Sequence, residues 1–326
     1  MIISKTPLRL SFVGGGSDIP GYYRKYGGAV ISTAIDKHIY ITVNKRFDDT
    51  VRVSYSRTEE VESAEQVEHR LARAILLKMG IRNGIEITSI ADIPSRGSGL
   101  GSSSSFTVGL LHALHAFQGR YCRHPDLGAE ASEVEINILG EPIGKQDQYA
   151  AAVGGMNLIR FNPDDTVDIE PIVAQTGVIR RLEQSMMLFY TGIVRSASDT
   201  LRRQASEMDA DGRKVQAMHR MVRQVDSVRQ EIVNGNPDAV GEILHESWML
   251  KRSLSPGISN EFIDDIYEKA RAAGALGGKL LGAGGGGFLA FYVPPERHPA
   301  VKFALADLKE VPFCFEREGT SIVFYR

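Results

Sequence analysis

The chain has 326 residues, 24% of them charged and 43% hydrophobic, and its formal net charge is −2. This balanced charge, without a basic block, argues against a nucleic-acid-binding protein, and no apolar run is long enough to span a bilayer. The two cysteines, Cys122 and Cys314, form no CxxC pair, which favours free thiols in a reducing compartment. We therefore expect a cytoplasmic protein of about two domains that binds neither nucleic acid nor a membrane.

The first half of the chain mixes short strand-like runs with segments of helical periodicity. The predicted strands are Ile2–Lys5, Leu8–Val13, Ala29–Thr33, His38–Lys45 and Gly84–Ile90, with a hairpin formed by Met156–Phe161 and Val167–Glu170. The predicted helices are Glu59–Met79, Ser102–Phe117 and Pro125–Leu139.

The second half is mostly helical between Ser198 and Lys251, with breaks near Asp209–Gly212 and Asn234–Pro237. The further predicted elements are the strands Met186–Tyr190, Phe288–Val293 and Thr320–Tyr325 and the helices Glu261–Ala273 and Pro295–Leu308. Strands and helices do not alternate regularly, which predicts an α+β fold instead of a doubly wound parallel sheet. We place the domain boundary where the hairpin gives way to the helical section, so that the domains are residues 1–178 and 179–326.

A glycine- and serine-rich loop, Pro94–Ser105, follows a predicted strand and begins a predicted helix. Its alternating glycines let backbone N–H groups approach an anion, and the helix N-terminus adds unpaired donors and partial positive charge. The loop lacks the lysine of a Walker A motif, and its glycines are spaced by two, unlike those of a dinucleotide fingerprint. A polyphosphate cradle is the main interpretation, and a flexible serine-rich linker with a helix cap is the alternative.

This loop resembles the ATP-binding motif of the GHMP kinases, the family of galactokinase, homoserine kinase, mevalonate kinase and phosphomevalonate kinase. Thr6–Asp18 resembles the first motif of that family and Gly282–Phe288 the third, so three motifs occur in the family's order. The resemblance implies an N-terminal domain like ribosomal protein S5 domain 2, a ferredoxin-like C-terminal domain, and a site for ATP and substrate between them.

Three phrases, Pro7–Asp18, Leu139–Tyr149 and Phe189–Ala197, are most similar to heptose 7-phosphate kinases and their fucokinase-like relatives. The resemblance implies ATP-dependent transfer to the anomeric hydroxyl of D-glycero-D-manno-heptose 7-phosphate. The small-molecule partners would then be ATP and a sugar phosphate, and a homodimer is left open. A kinase for an unphosphorylated sugar such as L-fucose and a non-catalytic sugar-binding sensor are the alternatives.

The resemblance also assigns catalytic and nucleotide-binding residues. Asp147 matches the family carboxylate that orients or deprotonates the accepting hydroxyl, and Arg9 falls where the family places a cation beside it. The residues expected to bind ATP are Arg96, Gly97, Ser98, Gly99, Leu100, Gly101, Ser102, Ser103 and Ser104.

Mg²⁺ prefers hard oxygen ligands, and the resemblance implies Ser103 and Glu135 for this ion. Glu133 remains a rival of Glu135, because the motif aligns with a one-residue gap. The residues expected to bind the sugar substrate are Gly15, Asp18, Lys145, Arg195 and Ser196, the last three as candidates for a second phosphate. The glycines Gly284–Gly287 are interpreted either as part of the cleft or as a turn that lets two domains touch.

Overall fold

The structure is a computed structural model that describes residues 1–94, 97–193 and 212–326. Its strands, in chain order, are β1 (Ile2–Val13), β2 (Gly28–Lys45), β3 (Val51–Ser54), β4 (Thr58–Val61), β5 (Ile85–Ala91), β6 (Met156–Phe161), β7 (Val167–Pro171), β8 (Met186–Tyr190), β9 (Gly277–Leu280), β10 (Phe288–Tyr292), β11 (Lys309–Glu310), β12 (Phe315–Glu316) and β13 (Ser321–Tyr325). Its α-helices are α1 (Pro20–Tyr26), α2 (Arg70–Lys78), α3 (Ser102–Phe117), α4 (His124–Ser132), α5 (Gln146–Val153), α6 (Thr176–Ser185), α7 (Gly212–Val233), α8 (Pro237–Leu254), α9 (Glu261–Ala272) and α10 (His298–Ala304). A π-helical turn, Glu133–Ile138, continues α4, and 3₁₀ turns cover Ala64–Gln66 and Pro295–Arg297.

The first sheet is built around two long antiparallel strands, β1 and β2. Each of them joins two strands that the sequence predicts separately, because the residues between the predicted runs also pair across the sheet. Within the described residues this sheet has nine strands, in the order β13-β1-β2-β5-β3-β4, with β6 and β12 also paired to β2 and β7 paired to β6. The apolar side chains of β1 and β2 are almost wholly buried, and helix α3 packs against both strands.

The predicted helix Glu59–Met79 is wrong over its first half. Thr58–Val61 forms strand β4 against β3, and the helix begins only at Arg70. The buried carboxylate of Glu59 accepts backbone N–H groups of Glu68 and His69, just before the helix starts. Such a contact stabilises a helix N-terminus, so Glu59 helps to fix this start from outside the helix.

The second sheet has the strand order β11-β8-β10-β9 and is antiparallel throughout its described pairs. Helix α8 packs on β9 and β10, while α7 packs on α8 and also on β1 and β2 of the first sheet. The last strand, β13, returns to the first sheet and pairs with β1. The boundary between residues 178 and 179 stays a prediction, and it does not anticipate this return.

Both cysteines are free thiols, as the sequence predicts. Within the parts of the chain that are described, no helix is long and apolar enough to cross a membrane.

Candidate active site

The glycine- and serine-rich loop connects β5 to α3, as the sequence predicts. Gly101 is the residue that precedes α3, and its left-handed backbone (φ 78°) turns the chain into the helix. The loop is tied down at Leu100, whose carbonyl accepts the backbone N–H of Arg9 at 3.1 Å. Ser98 and Ser102 share a hydrogen bond of 2.9 Å between their hydroxyls. From Gly97 onward the loop is therefore part of the packed structure, which contradicts the alternative of a flexible linker for these residues.

Arg9 and Asp147 form a tight ion pair beside this loop. The Arg9 guanidinium donates to Asp147 Oδ1 from Nε at 2.8 Å and approaches it with Nη2 at 2.7 Å. Its Nη1 donates to the carbonyl oxygen of Gly99 at 2.6 Å. Arg9 is only 2% exposed, so its charge acts in a low-dielectric environment. One cation thus joins the loop to the carboxylate that the sequence proposes for catalysis.

Asp147 reaches this position because it lies in the first turn of α5. The carboxylate of Asp18 lies at the same helix N-terminus, where it accepts the backbone N–H of Gln146 at 3.2 Å and that of Gly16 at 2.9 Å. Burial, and then the charge of Asp147, raise the pKa of the Asp18 carboxyl. Gly15 and Asp18 both line the cavity described below, next to Asp147.

Glu135 is buried behind the serines of the loop. Its carboxylate accepts the hydroxyls of Ser103 at 3.1 Å, Ser104 at 2.7 Å and Thr107 at 2.8 Å, and also the side-chain amide of Gln148. Burial raises the pKa of this carboxyl, while the four hydrogen bonds oppose that shift.

Its rival Glu133 points elsewhere and pairs with Lys78 at 2.8 Å. The Glu133 side chain is 51% exposed. The structure therefore brings Glu135, and not Glu133, to the phosphate loop.

The C-terminal glycines pack directly against the phosphate loop. A Cβ atom on Gly99 would lie 2.4 Å from the carbonyl oxygen of Leu281, and one on Gly282 would lie 2.6 Å from the Cα of Gly99. A Cβ atom on Gly287 would lie 2.6 Å from the carbonyl oxygen of Ser98. The two glycine-rich segments therefore touch backbone to backbone, which supports the packing interpretation and also brings the second glycine segment to the cleft.

The Arg9–Asp147 pair and the phosphate loop line the same cavity, which has a volume of about 260 Å³. The predicted residues among its lining are Arg9, Gly15, Asp18, Gly97, Ser98, Gly99, Gly101, Ser102, Ser103, Ser104 and Asp147. The side chain of Leu100 is fully buried, and its backbone carbonyl accepts the N–H of Arg9. Arg70 and Leu71 also line the cavity.

Lys145 is not among the residues that line this cavity. Its ammonium lies 3.1 Å from the Asp165 carboxylate and 4.8 Å from the centre of the Tyr23 ring. The described contacts of this ammonium are thus with Asp165 and Tyr23, and the role of Lys145 as a ligand of the sugar's second phosphate stays a prediction. Arg96, Arg195 and Ser196 lie outside the described residues.

Sequence reasoning missed two lysines that line the cavity, Lys251 in α8 and Lys279 in β9. They are 6% and 4% exposed. Lys279 lies just before the third glycine motif, which is the one sequence signal that could have drawn attention to it. Lys251 lies in an ordinary helical stretch without any such signal.

Comparison with known proteins connects this geometry to a family. Family models described as the GHMP kinases N terminal domain and the GHMP kinases C terminal match residues 64–155 and 228–310. The chain is 30% identical to a D-glycero-alpha-D-manno-heptose 7-phosphate kinase of Campylobacter jejuni, over 98% of this chain and 97% of that protein. It is 28% identical to a bifunctional fucokinase/GDP-fucose pyrophosphorylase of Arabidopsis thaliana, over 86% of this chain but 29% of that protein.

A solved structure has the same fold. The crystal structure of a D-glycero-D-manno-heptose 1-phosphate kinase from Bacteroides thetaiotaomicron matches with a TM-score of 0.81 and 27% identity, over 100% of both chains.

Proposed function

The chain belongs to the GHMP kinase family and is an ATP-dependent sugar kinase, and we propose that it phosphorylates the anomeric hydroxyl of D-glycero-D-manno-heptose 7-phosphate. The products would be the 1,7-bisphosphate and ADP. The observation that carries this proposal is the Arg9–Asp147 pair, which faces the same cavity as the phosphate loop. The near full-length similarity to a heptose 7-phosphate kinase supports the choice of sugar.

In the proposed mechanism Asp147 orients the accepting hydroxyl and takes up its proton as the new bond forms. Arg9 keeps this carboxylate in one position through two contacts to Oδ1. The same guanidinium is fixed to the loop at Gly99, so its positive charge lies where phosphoryl charge would develop. Asp18, whose carboxylate is anchored at the N-terminus of α5 and lines the cavity, would accept hydrogen bonds from sugar hydroxyls.

The oxygen groups near the loop fit Mg²⁺. The Ser103 hydroxyl lines the cavity, and the Glu135 carboxylate lies 3.1 Å behind it. Both are hard oxygen ligands, and Mg²⁺ needs few of them when phosphates and waters complete its shell. When bound, the ion would offset negative charge on the phosphates, with Ser103 and Glu135 holding it.

An unphosphorylated sugar such as L-fucose is the second candidate substrate. It is favoured by the position of Lys145 outside the cavity lining and by the similarity to fucokinases. A non-catalytic sensor is disfavoured because the Arg9–Asp147 pair and the hydroxyls of the loop are all in place.

Phosphorus NMR of the products tests the proposal. The protein is incubated with ATP and, in parallel, with heptose 7-phosphate, heptose 1-phosphate, the free heptose or L-fucose. We expect a new anomeric phosphate signal with heptose 7-phosphate and much slower turnover of the other sugars. Preferred turnover of L-fucose would support the second candidate, and preferred turnover of heptose 1-phosphate would contradict transfer to the anomeric oxygen.

The Lys145→Met variant sharpens this test. Because the Lys145 ammonium pairs with the half-exposed Asp165 carboxylate, and such pairs contribute little, we expect the KM for the sugar phosphate to change less than about twofold. A large rise in this KM would instead restore Lys145 as a ligand of the sugar phosphate.

A further inference from the structure

Lys251 and Lys279 bring two buried amino groups to the cavity that the phosphate loop also lines. The described hydrogen-bond partners of their ammonium groups are backbone carbonyls. Lys251 Nζ donates to Gly282 O at 2.5 Å, and Lys279 Nζ donates to Phe12 O at 2.9 Å. Among the described residues, no carboxylate forms an ion pair with either of them. A buried charge without a counter-ion is costly, which indicates that an anionic ligand completes this site.

The hydrogen bond of Lys251 places this lysine beside the phosphate loop. Its carbonyl partner belongs to Gly282, whose backbone lies against Gly99 of the phosphate loop. The carbonyl of Gly99 in turn accepts Nη1 of Arg9. Lys251 and Arg9 are therefore anchored to two backbone segments that touch each other at Gly99, next to the phosphate loop.

Several titratable groups interact electrostatically with Lys251. Arg9 and Lys279 are cations, and Asp18 and Asp147 are carboxylates that attract it from beyond ion-pair distance. Burial, and then the charge of Arg9, lower the pKa of Lys251 to about 8. Burial, followed by the charges of Lys251 and Arg9, also places the pKa of Lys279 well below its ordinary value. An anion between these groups would favour their protonated forms, so its binding should take up protons.

We propose that Lys251 and Lys279 bind the phosphoryl group in transfer, together with Arg9, which lines the same cavity. The bond from the terminal phosphorus to the oxygen of ADP breaks while the bond to the sugar oxygen forms, and the hydroxyl proton passes to Asp147. The two ammonium groups stay protonated and offset the charge of the transferring group. This inference rests on the ATP-dependent kinase activity and not on the identity of the sugar.

Calorimetric titration with Mg²⁺–ADP, with and without aluminium fluoride, tests the proposal independently of turnover. We expect the fluoride complex, which imitates the phosphoryl group in transfer, to bind wild type more tightly than ADP alone. Lys251→Met should keep its affinity for ADP within about threefold and lose about 100-fold of the added affinity, as for an oxyanion donor. Lys269→Met is the matched control, because Lys269 is an exposed lysine of α9 that pairs with Asp265.

Measurements on wild type keep the test valid if the methionine variant does not fold. Titrations at pH 8.5 in two buffers of different ionisation enthalpy should show proton uptake with the fluoride complex. The kcat/KM, which reports the free enzyme, should fall as pH rises through about 8, where unliganded Lys251 loses its proton, and a folded Lys251→Met variant should lack this alkaline limb.

Three results would overturn the proposal. The first is no proton uptake in wild type. The second is a Lys251→Met variant that keeps the full affinity increment, as Lys269→Met should. The third is a variant that loses affinity only for the sugar phosphate, since the pair would then bind the substrate's own phosphate.

Discussion

The two walls of the cleft carry charge in different ways. On the N-terminal wall, Arg9 is paired with Asp147 at 2.7 Å and the phosphate loop is held by hydrogen bonds. On the C-terminal wall, Lys251 and Lys279 contact only backbone carbonyls among their described hydrogen-bond partners. The first wall is therefore electrostatically satisfied without a ligand, whereas the second holds two lysines whose protonated forms an anionic ligand would stabilise.

This difference shows that conspicuous motifs and buried charges report different things. The motifs mark where the backbone must approach an anion closely, and they are visible in the sequence. Buried charged side chains without a counter-ion indicate an anion-binding site. They can be identified only when the burial and the hydrogen-bond partners of each side chain are known. Three substitutions of residues on the N-terminal wall test this difference between the two walls.

The largest effect is expected from Asp147→Asn. The amide preserves the shape of the side chain but cannot take up a proton, so kcat should fall about 10²–10⁴-fold. ATP affinity should change little, because the phosphates are held by the loop. The measurements are kcat and, separately, the dissociation constant of ATP.

Asp265→Asn is the control, because this exposed residue of α9 pairs with Lys269 and is not among the residues that line the described cavity. If Asp147→Asn keeps its activity within twofold of wild type, Asp147 is not the catalytic carboxylate, even though the fold assignment stands.

An intermediate effect is expected from Glu135→Gln. The neutral amide removes the charge that would hold Mg²⁺, so the Mg²⁺ concentration for half-maximal activity should rise about 10-fold or more. Glu133→Gln offers a matched control two residues away, since Glu133 pairs with Lys78 at the surface. Equal Mg²⁺ dependence of the two variants would contradict the assignment of Glu135.

The smallest effect is expected from Gly99→Ala, which tests the contact between the walls. The new Cβ would meet Leu281 O at 2.4 Å, and the positive φ of 74° adds strain. We expect the free energy of unfolding to fall by about 1–3 kcal/mol. Chemical denaturation measures this change.

Gly119→Ala separates strain from contact, because Gly119 has a similar φ of 68° and a Cβ atom added there would meet nothing within 4 Å. Strain alone should cost about 1 kcal/mol. Equal losses in the two variants would mean that the close approach of Leu281 to Gly99 contributes nothing.

Prediction from sequence succeeded best where local signals agree. The helix Ser102–Phe117 has its predicted bounds, because a glycine with positive φ precedes it and a continuous apolar pattern follows. The helix beginning at Glu59 was wrong, because helical spacing cannot show that Thr58–Val61 pairs with a strand. Helix α5, which positions Asp147, was not predicted as an element, although its motif was recognised.

The phosphate loop and the order of the three motifs, and hence the GHMP kinase family, could be predicted from local sequence alone. These features depend on local chemistry, namely glycine backbone angles and the N–H groups at a helix start. The three-dimensional contacts were needed to show that Glu135 and not Glu133 lies behind the serines. The tertiary structure also brings Arg9 to Asp147, which lies 138 positions away in the sequence. It also decided that Lys251 and Lys279 are buried in the cleft, because burial and charge pairing arise from contacts between distant segments that no local pattern encodes.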